Sequence, residues 1–156
     1  MTAPIARRAR HVAVIGGTDV TAQVEADAEA VGRLLARAGV VVVTGGREGV
    51  ASAACRGASE AGGLTVGILP GRDRSDANPW VGVAIPTGLG ETRNALVVMD
   101  ADAVIAFPGA YGTLIELAFA LLADAKVVGV GTWALGENTS ILSVDTPDEA
   151  VRLALG

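Results

Sequence analysis

Short apolar runs recur along the chain without the in–out alternation of a strand that faces water on one side. Each of the first six runs is followed directly by a glycine or a proline. Runs of this length and character predict strands that are buried on both faces. The predicted strands cover residues 11–15, 40–44, 64–69, 81–85, 103–107 and 127–130, and a short seventh run lies at 141–144.

Between these runs, apolar residues return at helical spacing. In the first such stretch Val24, Ala28 and Val31 belong to one apolar stripe, and Gly39 stands where a C-cap glycine is expected. The last stretch opens with Thr146 followed by Pro-Asp-Glu, which fits a capping box. The predicted helices cover 21–38, 50–61, 91–100, 113–123 and 146–155, while 72–79 is predicted to be an exposed loop and 133–143 to be largely irregular.

Buried strands that alternate with helices indicate a parallel sheet covered on both faces. The chain is therefore predicted to form a single Rossmann-like, doubly wound α/β domain. Its sheet is expected to be mostly parallel, with about six or seven strands and helices on both faces. This domain should span residues 11–156, after a basic N-terminal tail at 1–10 that carries Arg7, Arg8 and Arg10. A length of 156 residues fits one such domain.

Composition and charge narrow the classes of partner. Hydrophobic residues make up 51% of the chain, charged residues only 19%, and the formal net charge is −5. This balance argues against a broad surface for nucleic acid or for an anionic membrane, although a helix end can still bind a small anion. The first apolar run is too short for an export signal or a membrane span, so a cytoplasmic protein is expected. His11 and Cys55 have no second histidine or cysteine beside them, so no metal site is expected.

Four glycine-rich turns follow predicted strands, and in a doubly wound sheet such turns meet at the carboxyl edge, where ligands bind. The turns contain Gly16-Gly17, Gly45-Gly46, Gly88-Leu89-Gly90 and Pro108-Gly109-Ala110-Tyr111-Gly112. The last turn opens onto a helix predicted to start at Thr113, whose free amides and dipole favour an anion. Four turns on one edge favour a phosphate or nucleotide site over simple turn chemistry. The sequence GxGxxG is absent after the first strand and no GxxxxGK[ST] follows any strand, which disfavours NAD-type and Walker-type sites.

The last glycine-rich turn also carries a family resemblance. Residues 108–116, Pro-Gly-Ala-Tyr-Gly-Thr-Leu-Ile-Glu, resemble the PGGxGTxxE motif of the Lonely-Guy-type proteins, phosphoribohydrolases that were long misnamed lysine decarboxylases. Residues 45–50 are similar to the second glycine-rich turn of that superfamily, and Arg93 falls where its motif arginine is expected. Within the superfamily, residues 87–94 are more similar to the molybdenum-cofactor carrier proteins and their uncharacterised bacterial relatives.

The resemblance implies two functions that depend on a ligand. In the first, the chain is a carrier-like protein that binds a phosphate-bearing nucleotide or a pterin-type cofactor without a chemical step. In the second, it is a nucleoside 5′-monophosphate phosphoribohydrolase, in which Glu116 stabilises positive charge on the ribose and Arg93 holds the substrate. Ala110 replaces the second glycine of the motif, and Asn94 replaces a lysine that is usual in the enzymes. Both departures count against hydrolysis and leave the anion cradle intact, so binding is the preferred function.

The predicted ligand-binding residues come from all four glycine-rich turns and from the helix that carries Arg93. They are Gly16, Gly17, Gly45, Gly46, Gly88, Gly90, Arg93, Asn94, Pro108, Gly109, Ala110, Tyr111, Gly112, Thr113 and Glu116. Arg47 and Asp19 also lie in these turns and could touch a ligand there, but they are interpreted as turn or surface residues. Tyr111 is the aromatic residue most expected to contact a ligand or a neighbouring subunit.

A third hypothesis is a structural or interaction subunit. The predicted helix at 113–123 has few polar residues besides Glu116, and the helix before it contains four consecutive apolar residues at 96–99. Helices that are apolar nearly all round are usually buried, which in a small domain suggests burial against a second copy. We therefore predict a homodimer, which is also common in the resembled family.

Overall fold

The computed structural model describes residues 8–137 and 139–156, and these contain one parallel sheet of seven strands. The strands are β1 His11–Ile15, β2 Val41–Thr44, β3 Thr65–Leu69, β4 Val83–Pro86, β5 Ala103–Ala106, β6 Val127–Val130 and β7 Ile141–Val144. Their order in the sheet is β4-β3-β2-β1-β5-β6-β7, and every neighbouring pair is parallel. The predicted single Rossmann-like α/β domain is confirmed, including the short seventh strand.

The described residues contain five α-helices, of which the first four connect strands and the last follows β7: α1 Ala22–Arg37, α2 Val50–Glu60, α3 Asn94–Val98, α4 Tyr111–Leu122 and α5 Pro147–Leu155. Only α3 and α4 differ from the predicted boundaries by more than one residue. The helix predicted at 91–100 starts as a 3₁₀ turn over Gly90–Arg93 and becomes α-helical only at α3. The last helix has the predicted cap, because Thr146 Oγ1 accepts a hydrogen bond from the Glu149 amide at 3.3 Å.

The core consists of two apolar layers, one on each face of the sheet. Val12 and Val14 of β1 pack on the side of α1, α2 and α5, whereas Ala13 and Ile15 pack on the side of α3 and α4. Successive residues of a strand point to opposite faces, so a strand buried on both sides must be apolar throughout. This explains the continuous apolar runs of the inner strands. The predicted burial of the fourth strand on both faces is wrong, because β4 lies at the edge of the sheet and leaves Val83 and Ile85 exposed.

The order of the strands reverses between β1 and β5, which lie side by side with Val14 opposite Ile105. The chain leaves β1 toward one side of the sheet and leaves β5 toward the other, so a crevice opens between the two turns. The turns are in direct contact, because the Gly17 amide donates a hydrogen bond to the Pro108 carbonyl at 2.8 Å. The fold therefore places the first and the last of the predicted glycine-rich turns together.

The other predicted segments have mixed outcomes. Residues 1–7 of the expected basic tail lie outside the described residues, and Arg10 donates a hydrogen bond to the Leu155 carbonyl at 3.0 Å. The loop predicted at 72–79 is exposed up to Asp76 and includes a 3₁₀ turn over Arg74–Asp76, but Asn78 near its end is buried. Across the described part of the chain, no helix has both the length and the apolar character that a membrane crossing requires.

Candidate functional site

A cavity of about 390 Å³ lies over the carboxyl ends of β1 and β2, beside the crevice between β1 and β5. Its volume falls within the range of small-molecule sites, which is roughly 300–1,000 Å³. Nine of the predicted site residues line it: Gly16, Gly17, Gly45, Arg93, Asn94, Ala110, Gly112, Thr113 and Glu116. Residues from three of the four predicted glycine-rich turns thus meet at one cavity, whereas the turn of Gly88-Leu89-Gly90 does not line it.

Six predicted residues do not line the cavity: Gly46, Gly88, Gly90, Pro108, Gly109 and Tyr111. Gly46 is buried below its turn, where a β-carbon would lie 2.8 Å from Leu69 Cδ2. Gly88 and Gly90 follow β4, the strand at the edge of the sheet, and shape the turn that leads to Arg93. These residues support the walls of the cavity rather than facing it.

The turn after β5 is tightly packed against the turn after β1. A β-carbon on Gly109 would lie 2.1 Å from Thr113 Oγ1 and 2.7 Å from the Gly17 nitrogen, distances that real β-carbons do not reach. Ala110, in contrast, has an extended backbone with φ −89° and ψ −155°, which any residue can adopt. The motif therefore needs a glycine at 109 but not at 110, so Ala110 does not disturb the path of the chain.

Helix α4 points its N-terminus into the cavity. It starts at Tyr111, two residues earlier than predicted, so Gly112 and Thr113 lie in its first turn. Its first intrahelical hydrogen bond runs from the Leu114 amide to the Ala110 carbonyl at 3.2 Å, and the amides before it have no acceptor within the helix. Since Gly112 and Thr113 line the cavity, these amides and the helix dipole make this wall attractive to an anion.

Arg93 supplies a positive charge from the opposite wall. Its side chain is 11% exposed, and its guanidinium rests on Gly45, where a β-carbon would lie 3.1 Å from Nη1. Nη1 donates a hydrogen bond to Asn94 Oδ1 and lies 3.9 Å from Glu116 Oε1. Nε is buried and has no hydrogen-bond partner among the described residues. A buried guanidinium with a free donor retains capacity to bind an oxygen-rich ligand.

Glu116 faces Arg93 from the first half of α4 and is 6% exposed. Burial raises the pKa of this carboxyl to about 8, because the charged form loses its hydration. Arg93 opposes the rise, and the negative charge of Glu91 adds to it. The carboxyl is therefore mostly protonated at neutral pH, and it can donate a hydrogen bond as well as accept one.

Asn94 links the charged groups of the cavity. It is buried, and its Nδ2 donates a hydrogen bond to Glu91 Oε2 at 3.2 Å while its Oδ1 accepts from Arg93. A lysine at this position could not accept a hydrogen bond from Arg93 and would add a second positive charge beside it. The asparagine instead holds Arg93 and Glu91 in one network, which orders the cavity wall without added charge.

The turn after β2 brings a second arginine to the cavity. Arg47 and Glu48 both line it, although they are exposed to solvent. Burial lowers the pKa of the Arg93 guanidinium, the negative charges of Glu116 and Glu91 oppose this, and the positive charge of Arg47 adds a smaller lowering. The two positive charges that line this cavity repel each other, and an anion bound between them offsets the repulsion. Arg47 is thus an exposed turn residue, as interpreted, and it lies where a ligand could touch it.

Eight lining residues were not among the predicted site residues: Val14, Ile15, Thr18, Arg47, Glu48, Ala51, Pro70 and Glu91. A signal for some of them exists in the sequence. Arg47 and Glu48 directly follow Gly45-Gly46, and Glu91 belongs to the same stretch as Arg93 and Asn94. Pro70 gives no such signal, because only the placement of β3 beside β2 brings it to the cavity. Within the described residues, no group of three histidine, cysteine, aspartate or glutamate side chains is arranged to hold a metal ion.

Tyr111 lies outside the cavity, on the other side of the turn after β5. It is 76% exposed and stacks on Trp133, with 6.4 Å between ring centroids and an angle of 24° between the rings. Trp133 Nε1 donates a hydrogen bond to the Gly109 carbonyl at 3.0 Å. The aromatic pair therefore braces the outer side of the turn that carries the anion cradle.

Comparison with known proteins places this site in context. The family model described as the SLOG cluster4 family matches residues 9–152. An uncharacterised protein of Archaeoglobus fulgidus is 35% identical over 145 residues, which cover 93% of this chain and 94% of that protein. The similarity thus extends over nearly the whole of both chains.

Two solved structures share both the fold and a substantial part of the sequence. The molybdenum cofactor binding protein of Rippkaea orientalis has a TM-score of 0.89 and 34% identity, with 95% of this chain and 96% of that chain covered. The Moco carrier protein of Chlamydomonas reinhardtii has a TM-score of 0.84 and 31% identity, with 95% and 98% covered. The resemblance to the carrier branch of the Lonely-Guy-like proteins is confirmed by these similarities.

Proposed function

The chain belongs to the SLOG cluster4 family, and from this premise we propose that it is a carrier-type protein for a phosphate-bearing, pterin-type cofactor of the molybdenum-cofactor class. The similarity to two proteins named for binding or carrying this cofactor supports the class of ligand. A phosphate-bearing nucleotide uses the same anion-binding groups and is the nearest competing ligand.

One observation carries the proposal: two arginines and a helix N-terminus face the same cavity. Arg93 and Arg47 interact through their like charges, and Gly112 and Thr113 present the first turn of α4. A phosphate held at this point would accept hydrogen bonds from the helix amides and lie against the positive charge of the Arg93 guanidinium. The repulsion between the arginines is relieved at the same time.

The acidic groups of the cavity lie close to its cationic groups. Glu48 directly follows Arg47, and Glu91 accepts a hydrogen bond from Asn94, which accepts one from Arg93. The aminopyrimidinone edge of a pterin carries N–H donors, and a carboxylate accepts two such hydrogen bonds side by side. The cavity therefore offers acceptors for ring N–H groups beside the groups that attract a phosphate.

A ligand screen tests the proposal. The purified protein is heated with a molybdopterin-type cofactor, with nucleoside monophosphates and with inorganic phosphate, and the melting temperature is recorded. A ligand at 100 times its dissociation constant adds about 2.7 kcal/mol to the free energy of unfolding. We expect the pterin-type cofactor to stabilise the protein most. If no ligand with a phosphate group raises the melting temperature, the proposal is wrong.

Hydrolysis of nucleoside monophosphates is the second candidate, and the proximity of Glu116 to Arg93 favours it. The protonation of Glu116 counts against it, because a neutral carboxyl cannot stabilise the positive charge that develops on the ribose. Incubation with nucleoside monophosphates and measurement of base release decides between the two. Base release by the wild type that is lost in Glu116→Gln would establish the enzyme; binding without release supports the carrier.

A homodimer remains our prediction for the assembly. An apolar stripe on α4 is open to solvent, with Ile115 40%, Phe119 36% and Leu122 81% exposed. Leu96 and Met99, at and just after α3, are also exposed, at 45% and 59%. Burial of these side chains between two copies would remove them from water. Light scattering at micromolar concentration should show a dimer that Leu122→Glu weakens, and a monomeric wild type would refute this.

The structural-subunit hypothesis and the cytoplasmic location stay predictions from the sequence. A purely structural subunit should show the same assembly by light scattering but no stabilisation by any ligand of the screen. The net charge of −5 likewise leaves nucleic acid as a disfavoured partner.

A further inference from the structure

We propose that Asn78 is a positioning residue that fixes the turn of Arg47 at the cavity from the connection between β3 and β4. The inference rests on the proposed function, since it assigns Asn78 a part in ligand binding through Arg47. Asn78 does not line the cavity and is not among the residues that the sequence predicts for the site.

Three hydrogen bonds of Asn78 carry the proposal. Its amide donates to the Gly46 carbonyl at 2.8 Å, and its Nδ2 donates to the Arg47 carbonyl at 2.8 Å. Its Oδ1 accepts from the Trp80 amide at 3.0 Å, which anchors the side chain to its own segment. One buried residue thus holds two consecutive carbonyl groups of the turn after β2.

The turn depends on this support because of its conformation. Gly46 and Gly49 have positive φ angles of 77° and 69°, so the backbone between them follows a path that glycine adopts more readily than other residues. Among the described residues, the other side chain that bonds the backbone of this turn is Thr44, whose Oγ1 accepts a hydrogen bond from the Gly46 amide at 3.0 Å. Asn78→Ala removes the side-chain hydrogen bond to the Arg47 carbonyl, whereas the backbone amide at position 78 still bonds the Gly46 carbonyl.

The turn also supports the second arginine. The guanidinium of Arg93 rests on Gly45, the residue directly before the carbonyl groups that Asn78 holds. A shift of the turn would therefore move Arg47 and remove the surface on which Arg93 lies. Both arginines are proposed to bind the phosphate. Loss of the Asn78 side chain should therefore weaken ligand binding by more than the accompanying loss of folding stability would.

Thr65 offers a matched control in the same connection. Its Oγ1 donates to the Trp80 carbonyl at 2.7 Å and accepts from the Gly82 amide at 2.8 Å. These bonds also tie the β3–β4 connection to the sheet, but they do not reach the turn of Arg47. Thr65→Val removes them with little change in shape, so it reports the effect of loosening the connection alone.

The experiment measures the affinity for a pterin monophosphate by calorimetry in wild type, Asn78→Ala, Thr65→Val, Arg47→Gln and the Asn78→Ala/Arg47→Gln double variant. Asn78→Ala should bind roughly five- to tenfold more weakly, as expected for the loss of ordering hydrogen bonds. Thr65→Val should stay within about twofold of the wild type. In the Arg47→Gln background, Asn78→Ala should cause a smaller further loss of affinity than it causes in the wild type, because one of the two arginines through which it acts is already removed.

Equal losses of affinity in Asn78→Ala and Thr65→Val would overturn the positioning role. So would a loss of affinity from Asn78→Ala in the Arg47→Gln background that is as large as its loss in the wild type. Amide hydrogen exchange of the ligand-free protein gives a separate readout. Exchange at residues 45–48 should accelerate in Asn78→Ala but not in Thr65→Val, while exchange at residues 16–18 stays unchanged.

The two readouts separate the failure of each proposal. A wild type that does not bind the probe refutes the proposed function, and unchanged exchange at 45–48 refutes the role of Asn78 independently of any ligand. If Asn78→Ala does not fold, Asn78→Asp replaces it, since Asp keeps the acceptor for the Trp80 amide and removes the donor to the Arg47 carbonyl.

Discussion

Replacement of Glu116 with glutamine should flatten the pH dependence of stability between pH 5 and pH 9. The folded protein holds a proton on Glu116 up to a pKa of about 8, whereas an unperturbed glutamate releases it near 4.5. Between these values the folded state binds more protons than the unfolded state, so the free energy of unfolding falls as the pH rises. The contribution of this group is complete below pH 4.5 and is lost as the pH passes through 8.

The size of the effect follows from the shift. At 1.36 kcal/mol per pKa unit, the difference between 4.5 and about 8 corresponds to at most roughly 5 kcal/mol. The carboxyl is 6% exposed, so screening by solvent reduces this figure little. Glutamine has nearly the same shape and stays neutral at every pH, so wild type and variant should be similar near pH 5. At pH 9 the variant should be more stable by several kcal/mol, up to that limit.

Urea denaturation at pH 5, 7 and 9 measures the difference, with the ligand-free protein in each case. Glu48→Gln, an exposed carboxyl of the same cavity, serves as the control and should keep the pH dependence of the wild type. Parallel curves for wild type and Glu116→Gln would refute the reasoning. A wild type that gains stability over the variant with rising pH would show instead that the ion pair with Arg93 outweighs burial.

Two further substitutions test the local structure. Gly109→Ala should destabilise the protein by about 1–3 kcal/mol, because its β-carbon would collide with Thr113 Oγ1. As a control, the β-carbon of Gly112→Ala meets nothing closer than 3.6 Å, so its free energy of unfolding should stay within about 0.5 kcal/mol of the wild type. Equal losses of stability in urea denaturation would contradict the packing of this turn. Thr146→Ala should cost about 1 kcal/mol by removing the cap of α5, and an unchanged midpoint would show that the cap contributes nothing.

The positions of the strands could be predicted because each strand is a continuous apolar run in the sequence. The seventh strand, Ile141–Val144, corresponds to a short apolar run whose local pattern supports a strand only weakly. Its pairing with β6, which the local sequence does not show, stabilises it as a strand. The start of the helix at 90–98 could not be placed, because Gly88 and Gly90 take positive φ angles of 69° and 58° that delay the α-helix until Asn94. Tertiary context, rather than propensity, decides such boundaries.

The part of the candidate site that consists of glycine-rich turns and motif residues could be predicted from the sequence. Arg93 and Glu116 are 23 positions apart in sequence, and Arg93 Nη1 lies 3.9 Å from Glu116 Oε1. The family resemblance assigned both residues to the site. Asn78 could not be found in this way, because its contact with the Arg47 carbonyl joins residues 31 positions apart in a stretch that has the composition of a loop. The protonation of Glu116 also depends on burial, which the sequence does not encode locally.

The central claim, that the arginines and the helix N-terminus form a phosphate site for a pterin-type ligand, is tested most directly by calorimetric titration. A pterin alcohol and its monophosphate ester are titrated into the wild type and into Arg93→Gln. The ester should bind the wild type at least tenfold more tightly than the alcohol, about the effect of one charge-assisted hydrogen bond, and Arg93→Gln should lose most of that difference. Equal affinity of the wild type for the alcohol and the ester would contradict the account.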